Sequence, residues 1–204
     1  MYLYGSNIKQ MKLPDFYNTI KPIILKDDLA EFLGAPEDGV IEMNYLDVVK
    51  MAGHSCVTVA GAYIMTFKGL KALYGLELPK RGEIKVELRD AAADGSIGVS
   101  GTVFSNITGA AGDSGFGGLA GRFARRGLLF FSTDIDGFVR FTRTDTAKSV
   151  VVKYKPANVV HSGNIMMSAL GPQATDESRK AFPKQWQEMI KTLFENIDEV
   201  VELS

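Results

Sequence analysis

A short segment of the chain, 53–56, carries residue types that could do chemistry. It contains the only cysteine, Cys56, and one of the two histidines, His54. A thiolate and an imidazole two residues apart form a mixed sulfur and nitrogen pair, which suits Zn²⁺ or another borderline-soft metal ion. Cys56 also precedes a long apolar segment that we expect to be a helix. The free backbone N–H groups at the start of that helix would favour the charged thiolate.

The same two residues have a purely structural interpretation. Cys56 could be a small buried apolar side chain, and His54 a loop histidine held by a hydrogen bond. One histidine and one cysteine supply only half of a tetrahedral ligand set. The residues alone therefore leave both interpretations open.

A glycine-rich segment, 109–127, is the second candidate site. It carries three arginines, Arg122, Arg125 and Arg126. Backbone N–H groups and guanidinium groups together could hold a small anion. The segment matches neither the phosphate-binding P-loop nor the dinucleotide fingerprint, because no Lys-Ser/Thr pair follows and no strand leads into it. The alternative is a tight connection, in which glycines serve the backbone geometry and the arginines are solvated.

The composition is typical of a soluble globular protein. The 204 residues are 46% hydrophobic and 23% charged, and the formal net charge is -1. This near-neutral balance gives no reason to expect a nucleic acid or a membrane as a partner. A single cysteine cannot form an internal disulfide, and the first residues lack the pattern of a signal peptide. We therefore expect a cytoplasmic protein.

Hydrophobic periodicity predicts an α+β fold with N-terminal helices and a C-terminal amphipathic helix. After an arm at 1–12, short helices are expected near 14–22 and 27–34, then a strand at 40–43 and a helix capped by Asn44. A helix at 57–74, a strand at 84–88 and a helix at 97–108 follow. Three strands, at 128–132, 138–142 and 150–154, are expected to form an antiparallel meander with a hairpin turn at Asp136 and Gly137. Segment 157–175 is expected to be a linker, and the last helix is capped by Thr175 and interrupted at Pro183.

The chain contains an ordered set of features: Gly-His-Ser-Cys at 53–56, the small-residue helix start at 59–63, the strand, the helix 97–108 ending in Ile-Thr-Gly, the glycine-rich turn and the final strands. Together, these features resemble the FmdE domain, which is named for a component of formylmethanofuran dehydrogenase. The likeness covers about 40–155. It implies an order of helix, strand, helix and three strands in a mixed sheet, and divides the chain into an N-terminal helical segment (1–39), an FmdE-like domain (40–155), and a linker with the C-terminal helix (156–204). FmdE domains are similar to metal-binding modules, usually for zinc, and accompany or resemble parts of molybdenum and tungsten enzymes.

The chain departs from the FmdE pattern at several positions. Ala52 stands where another histidine is common, Val57 where a proline usually follows the cysteine, and Ala110 where a further cysteine is usual. No cysteine remains for the zinc-ribbon extension of some members. The resemblance therefore implies metal ligation only by His54 and Cys56. Water, substrate, a partner chain or Asp113, as a further candidate ligand, would complete the shell.

The resemblance implies a metal-binding protein, an accessory factor or enzyme linked to redox or one-carbon metalloenzymes. A homodimer is expected, because the apolar C-terminal helix and the glycine-rich surface could each be self-complementary. The alternative function is a metal-free module that binds a small anion, and in that hypothesis Arg122, Arg125 and Arg126 are the binding residues.

Overall fold

In the computed structural model, which describes residues 11–204, the chain has an α+β fold, as predicted. The α-helices of this part of the chain are α1 (Asp28–Phe32), α2 (Tyr45–Ala52), α3 (Val57–Tyr74), α4 (Ile97–Thr108), α5 (Ser162–Leu170), α6 (Asp176–Glu195) and α7 (Ile197–Val200). The strands are β1 (Ile23–Lys26), β2 (Val40–Met43), β3 (Ile84–Leu88), β4 (Leu129–Phe130), β5 (Val139–Arg143), β6 (Ser149–Tyr154) and β7 (Val201–Leu203). Two short 3-10 helices cover Asp15–Thr19 and Pro156–Asn158. The predicted arm at 1–12 lies outside the described residues except for its last two.

The main sheet has five strands in the order β4-β3-β5-β6-β7. Strands β3 and β4 are parallel and the other neighbours are antiparallel, so the sheet is mixed. The predicted hairpin between β4 and β5 is wrong, because β3 lies between them. Pairing β3 with β5 along its whole length, from Ile84 opposite Arg143 to Leu88 opposite Val139, joins two long strands, whereas β4 has only two residues to offer.

Strand β3 of this sheet has one buried apolar face and one charged face. In β3, the side chains of Ile84, Val86 and Leu88 are inaccessible to solvent. The intervening Glu87 lies on the opposite face, where both of its carboxylate oxygens accept hydrogen bonds from Arg140 of β5, at 2.7 and 2.9 Å. The alternation of β3 predicted this arrangement. Helices α3 and α4 cover the buried face.

Helix α3 is the centre of the fold. The sheet lies on one side of it, and α2, α4 and α6 pack around the rest, so every residue from Val59 to Thr66 is buried. Small residues allow this close packing. A Cβ atom at Gly61 would lie 2.3 Å from the Tyr154 ring, and one at Gly69 would lie 2.7 Å from the Phe141 ring. The sequence of this central part of α3 is apolar on nearly every side because no face of it meets water.

Helix α6 closes the core on the side of α3 away from the sheet. Thr175 caps it as predicted, and Met189, Ile190 and Leu193 are buried. The predicted interruption at Pro183 is wrong, since α6 continues through this residue. Pro183 and Arg179 are both exposed, so water can satisfy the carbonyl group that loses its helical donor. Because the apolar stripe of α6 is used within the chain, it no longer argues for a homodimer.

Two further segments differ from the expectations. The first predicted helix is instead the 3-10 helix Asp15–Thr19, followed by β1. Strand β1 pairs with β2, so these strands cross the boundary that we expected between the N-terminal segment (1–39) and the FmdE-like domain (40–155). The predicted linker 157–175 contains α5, which packs against α6. Only Ala169 of α5 is buried, while Met166, Met167 and Leu170 are exposed. Its apolar side chains therefore do not form the one-sided stripe that identifies a helix from sequence. Among residues 11–204, no helix combines the length and hydrophobicity needed to cross a lipid bilayer.

A buried carboxylate, Asp27, joins four parts of the chain. Its Oδ1 accepts hydrogen bonds from the backbone amides of Leu29 and Ala30 at the start of α1, at 3.0 Å each. Oδ1 also accepts from Arg125 Nη2 at 2.6 Å, and Oδ2 accepts from Arg81 Nη1 at 2.8 Å. Arg81 also donates to two carbonyl groups near the end of α4. Burial alone would raise the pKa of Asp27, but the hydrogen bond from Arg81, the Ala30 amide and the charge of Arg125 together lower it.

Substitution Asp27→Asn should lower the free energy of unfolding by about 3 kcal/mol at pH 7, because it leaves two partly buried guanidinium groups without a counter-charge. The folded-state pKa lies below the unfolded value of about 3.9. The stabilisation is therefore complete above that value and disappears as the pH falls through the folded pKa. Urea denaturation at pH 7 and pH 3 should show the difference between the two proteins shrinking at the lower pH. The exposed Asp134→Asn variant is the control, and equal stability of the Asp27→Asn protein at pH 7 would contradict the assignment.

Candidate metal centre

The segment that carries His54 and Cys56 is the connection between α2 and α3. Asp47 in the first turn of α2 accepts a hydrogen bond from the backbone amide of Asn44, at 3.0 Å, which fixes where α2 begins. Gly53 ends α2 in the left-handed conformation, with φ of 77°, which a glycine adopts without strain. The chain then reverses within three residues and enters α3. His54 and Cys56 thus lie on a short connection between two well-packed helices.

Ser55, between the two candidate ligands, is held from two sides. Its side chain is buried, and its Oγ lies 2.7 Å from the Tyr45 hydroxyl of α2. Its carbonyl oxygen accepts a hydrogen bond from Trp186 Nε1 of α6, at 2.9 Å. We call these two contacts the Ser55 clamp. Because a side chain and a backbone group of one residue are both fixed, the Cα positions of its two neighbours are fixed as well.

Cys56 is the N-terminal capping residue of α3. Its backbone is extended, and its Sγ accepts a hydrogen bond from the backbone amide of Val59, at 3.5 Å. The side chain is half-buried. A cysteine in this position faces the unpaired backbone amides at the N-terminus of an eighteen-residue helix. This is the placement that the sequence predicted.

His54 is exposed, and its ring is oriented by one hydrogen bond. Nδ1 lies 3.0 Å from the carbonyl oxygen of Ala52. A carbonyl oxygen can only accept, so Nδ1 is the donor in this contact and Nε2 remains available to a ligand. Metal-binding histidines commonly have one ring nitrogen held in this way while the other coordinates the ion. The geometry of His54 therefore suits a ligand that binds through Nε2.

Two tyrosines line the region around Cys56. Tyr45 is inaccessible to solvent, and Tyr154 of β6 donates a hydrogen bond to the Val57 carbonyl oxygen, at 2.9 Å. Burial raises the pKa of both hydroxyl groups, and negative charge on Cys56 raises it further. Both tyrosines are therefore neutral at physiological pH. They can support the site but cannot serve as phenolate ligands there.

The structure does not bring Asp113 to His54 and Cys56. The hydrogen bond from Thr58 Oγ1 to Ser96 Oγ, at 3.0 Å, places the beginnings of α3 and α4 side by side. Asp113 follows the far end of α4, and a helix of twelve residues is about 18 Å long. Within residues 11–204, no group of three or more His, Cys, Asp or Glu side chains is close enough to hold a metal ion. The structure therefore gives no support to Asp113 as a third ligand.

The second histidine lies on the same side of the molecule as Cys56. His161 caps α5 and, together with Val57, lines a surface depression of about 390 Å³. Val57 directly follows Cys56 in the chain. The depression is therefore an open approach to the start of α3.

The three arginines of the anion-binding alternative do not converge on one point. Arg125 is buried and paired with Asp27, so its charge is already compensated. The Arg122 guanidinium stacks on the ring of Phe123, with 4.6 Å between its central carbon and the ring centroid. Arg126 is exposed and lies over Gly117. The segment 109–127 thus lacks the cluster of free cations that an anion site requires.

Backbone geometry explains the glycines of this segment. Leu119 and Arg122 exchange two backbone hydrogen bonds, at 2.8 and 2.9 Å, in a tight turn. Gly118 has a φ of 93°, and a Cβ atom there would lie 2.3 Å from the Arg122 carbonyl oxygen. Ala120 and Phe123 also have positive φ values, of 47° and 63°. These observations favour the tight connection that the sequence left as the alternative interpretation.

Comparison with known proteins does not identify the chain. No protein-family model matches it, and a search of curated proteins found no significant match.

The sequence located the two candidate ligands but not the residues that support them. These supporting residues come from four parts of the chain: Tyr45 from α2, Ser55 from the connection itself, Tyr154 from β6 and Trp186 from α6. The contact between Trp186 and Ser55 spans 131 residues. A buried tryptophan or tyrosine must satisfy its polar group, which is the available signal in the sequence. That signal says that a partner exists but not which residue it is.

Gly61 leaves the space that the Tyr154 ring occupies beside α3, so Gly61→Ala should destabilise the protein. The added methyl group would lie 2.3 Å from the tyrosine ring. Relief would require Tyr154 to move and to release the Val57 carbonyl group. We expect a loss of about 1–3 kcal/mol in the free energy of unfolding, measured by urea denaturation.

The control is Gly163→Ala in α5, where a Cβ atom meets nothing within 4 Å. This change should be neutral or stabilising by up to about 1 kcal/mol, because alanine has the higher helix propensity. A Gly61→Ala protein as stable as the control would contradict the assigned role of Gly61.

Proposed function

We propose that this chain is an FmdE-like metal-binding protein, in which His54 and Cys56 hold Zn²⁺ or a similar divalent transition metal ion. The observation that carries the proposal is the Ser55 clamp, which holds the connection between the two donors from both α2 and α6. Effective ligand sites are held by supporting hydrogen bonds of this kind. The orientation of His54, with Nε2 free to coordinate, supports it further.

Each donor has the chemistry that zinc prefers. Cys56 presents a sulfur ligand at the N-terminus of α3. His54 presents the imidazole nitrogen Nε2. Zinc is typically four-coordinate in proteins, so two positions would be left for water, a substrate or a side chain from a partner. When bound, the ion would supply Lewis-acid chemistry and lower the pKa of a coordinated water.

The small number of protein donors is consistent with two roles. A site with open positions can accept a substrate, as in a metal-dependent enzyme. It can also release its ion readily, as an accessory protein that supplies a redox or one-carbon metalloenzyme must. We propose that the protein acts in the cytoplasm, because its single cysteine points to no structural disulfide.

A homodimer is part of the proposal and has one surface in its favour. Phe116 and Leu119 of the glycine-rich segment are exposed, and so is Phe32 of α1, whose ring lies 5.4 Å from that of Phe123. Exposed aromatic and aliphatic side chains that lie together are typical of association surfaces. A second copy of the chain would cover them.

The purified, untagged protein should contain about one metal ion per chain, and the Cys56→Ser variant should contain none. Serine is a preferred helix cap, so this change should leave the start of α3 intact. His54→Ala should also lose the ion. Elemental analysis measures the metal, and circular dichroism checks that each variant is folded.

His161→Ala is the matched control, since it removes the only other histidine of the chain and should retain the ion. Absence of metal from the parent protein after reconstitution with Zn²⁺ would refute the proposal. Retention of metal by His54→Ala, with loss in His161→Ala, would refute the ligand assignment.

Weakening the Ser55 clamp should weaken metal binding without removing a ligand. Trp186→Phe deletes the N–H group that donates to the Ser55 carbonyl oxygen. Loss of a contact that positions ligands typically reduces metal affinity by about 10- to 100-fold. Competition with a chromophoric chelator would measure the change.

Phe182→Leu is the matched control for this prediction. Phe182 packs against Trp186, with 5.4 Å between ring centroids, but has no polar group to lose. The metal affinity of the Phe182→Leu protein should stay within about twofold of that of the parent protein. For comparison, a tenfold change in affinity corresponds to about 1.4 kcal/mol of binding free energy. Equal affinities of the Trp186→Phe and parent proteins would show that the clamp does not position the ligands.

A further inference from the structure

A cavity of about 370 Å³ lies away from the 53–56 connection, between the 3-10 helix Asp15–Thr19 and helices α3, α6 and α7. Its volume is in the range of small-molecule sites, which is about 300–1,000 Å³. Nothing in the proposed metal site uses it. The side chains that line its floor differ in polarity from those at its rim.

The floor and inner walls are apolar. Tyr63 and Ile64 of α3 are each 1% exposed and form the floor, and Phe16, Phe67 and Phe194 contribute to the walls. The Tyr63 hydroxyl lies within hydrogen-bond distance of the Lys21 and Met43 carbonyl oxygens, at 2.9 and 3.0 Å. Its polar group is therefore already satisfied, and the floor offers ring and aliphatic carbon. The inner part of a ligand must be apolar as well.

The rim is positively charged. Four lysines line the cavity, against one glutamate and one aspartate. Lys68 pairs with Asp198, and Lys191 pairs with Glu195 at 3.5 Å. Among the described residues, no carboxylate lies within ion-pair distance of the other two, Lys21 and Lys71. Lysines of this kind line an apolar wall with their methylene groups and present the ammonium group at the mouth.

We propose that this cavity binds a small amphipathic monocarboxylate, such as a medium-chain or aromatic acid. The apolar body lies against Tyr63, Ile64 and Phe194, and the carboxylate lies at the rim near Lys21 and Lys71. Charge complementarity selects an anion over a cation or a neutral molecule of the same shape. The apolar floor selects a ligand with a hydrocarbon or ring body over a small inorganic anion.

Isothermal titration of the full-length protein with decanoate, below its micelle concentration, tests the site. We expect saturable binding of one decanoate per chain. Decylammonium has a body of the same length with the opposite charge and should bind at least about tenfold more weakly, as should butanoate, which lacks most of the apolar body.

A charge-reversing pair of variants locates the site. Lys71→Glu should weaken decanoate binding by about tenfold or more, as expected for losing a charged partner. Lys148→Glu, an equally exposed change at the β5–β6 turn, should leave it unchanged. Cys56→Ser should also bind decanoate normally, which separates this site from the metal proposal.

Failure of decanoate to bind, or equal binding of decanoate and decylammonium, would overturn the proposal. So would an unchanged affinity in Lys71→Glu, or loss of binding in Cys56→Ser.

Discussion

The complete burial of the central part of α3, Val59–Thr66, is the constraint on which the rest of the structure depends. A helical segment with no face in contact with water must be covered by other elements, and here the sheet, α2, α4 and α6 each provide one wall. The cost of bringing these distant segments together is offset by the apolar area they bury, at about 25 cal/mol per Å². Helix α3 can be enclosed so tightly because Gly61 and Gly69 admit the rings of Tyr154 and Phe141.

This arrangement also decides where polar groups can be used. With Val59–Thr66 enclosed, α3 meets the surface before and after this stretch, and the candidate ligands lie at its N-terminal end. Hydrogen bonds from the enclosing elements then fix the connection, through Tyr45 and Trp186 on Ser55 and through Tyr154 on Val57. At the far end of α4, the ion pairs of Asp27 with Arg81 and Arg125 do the same for the glycine-rich segment. The elements that cover α3 therefore also supply the side chains that fix the connection between α2 and α3.

Local patterns in the sequence predicted most of the elements but not how they pair. The alternation of β3, the Asn44 and Thr175 caps and the apolar run of α3 each identify an element from a few neighbouring residues. The position of β3 between β4 and β5 depends on contacts distant in sequence, and no local pattern carries that information. Helix α5 was not predicted because its exposed Met166, Met167 and Leu170 obscure the helical period.

The candidate site was likewise predictable only in part. The types and spacing of His54 and Cys56 are visible in the sequence, whereas the pairing of Arg125 with Asp27, 98 residues away, and the distance of Asp113 along α4 are not.

The contacts that hold the connection and the start of α3 join residues far apart in the sequence. Tyr154 lies 97 residues from Val57 and Trp186 lies 131 residues from Ser55, so forming either contact closes a long loop at an entropic cost. A partly folded chain in which α3 and the sheet have formed, but α6 has not docked, would carry His54 and Cys56 on an unsupported connection. If His54 and Cys56 bind an ion as proposed, ion capture would therefore be coupled to the docking of α6.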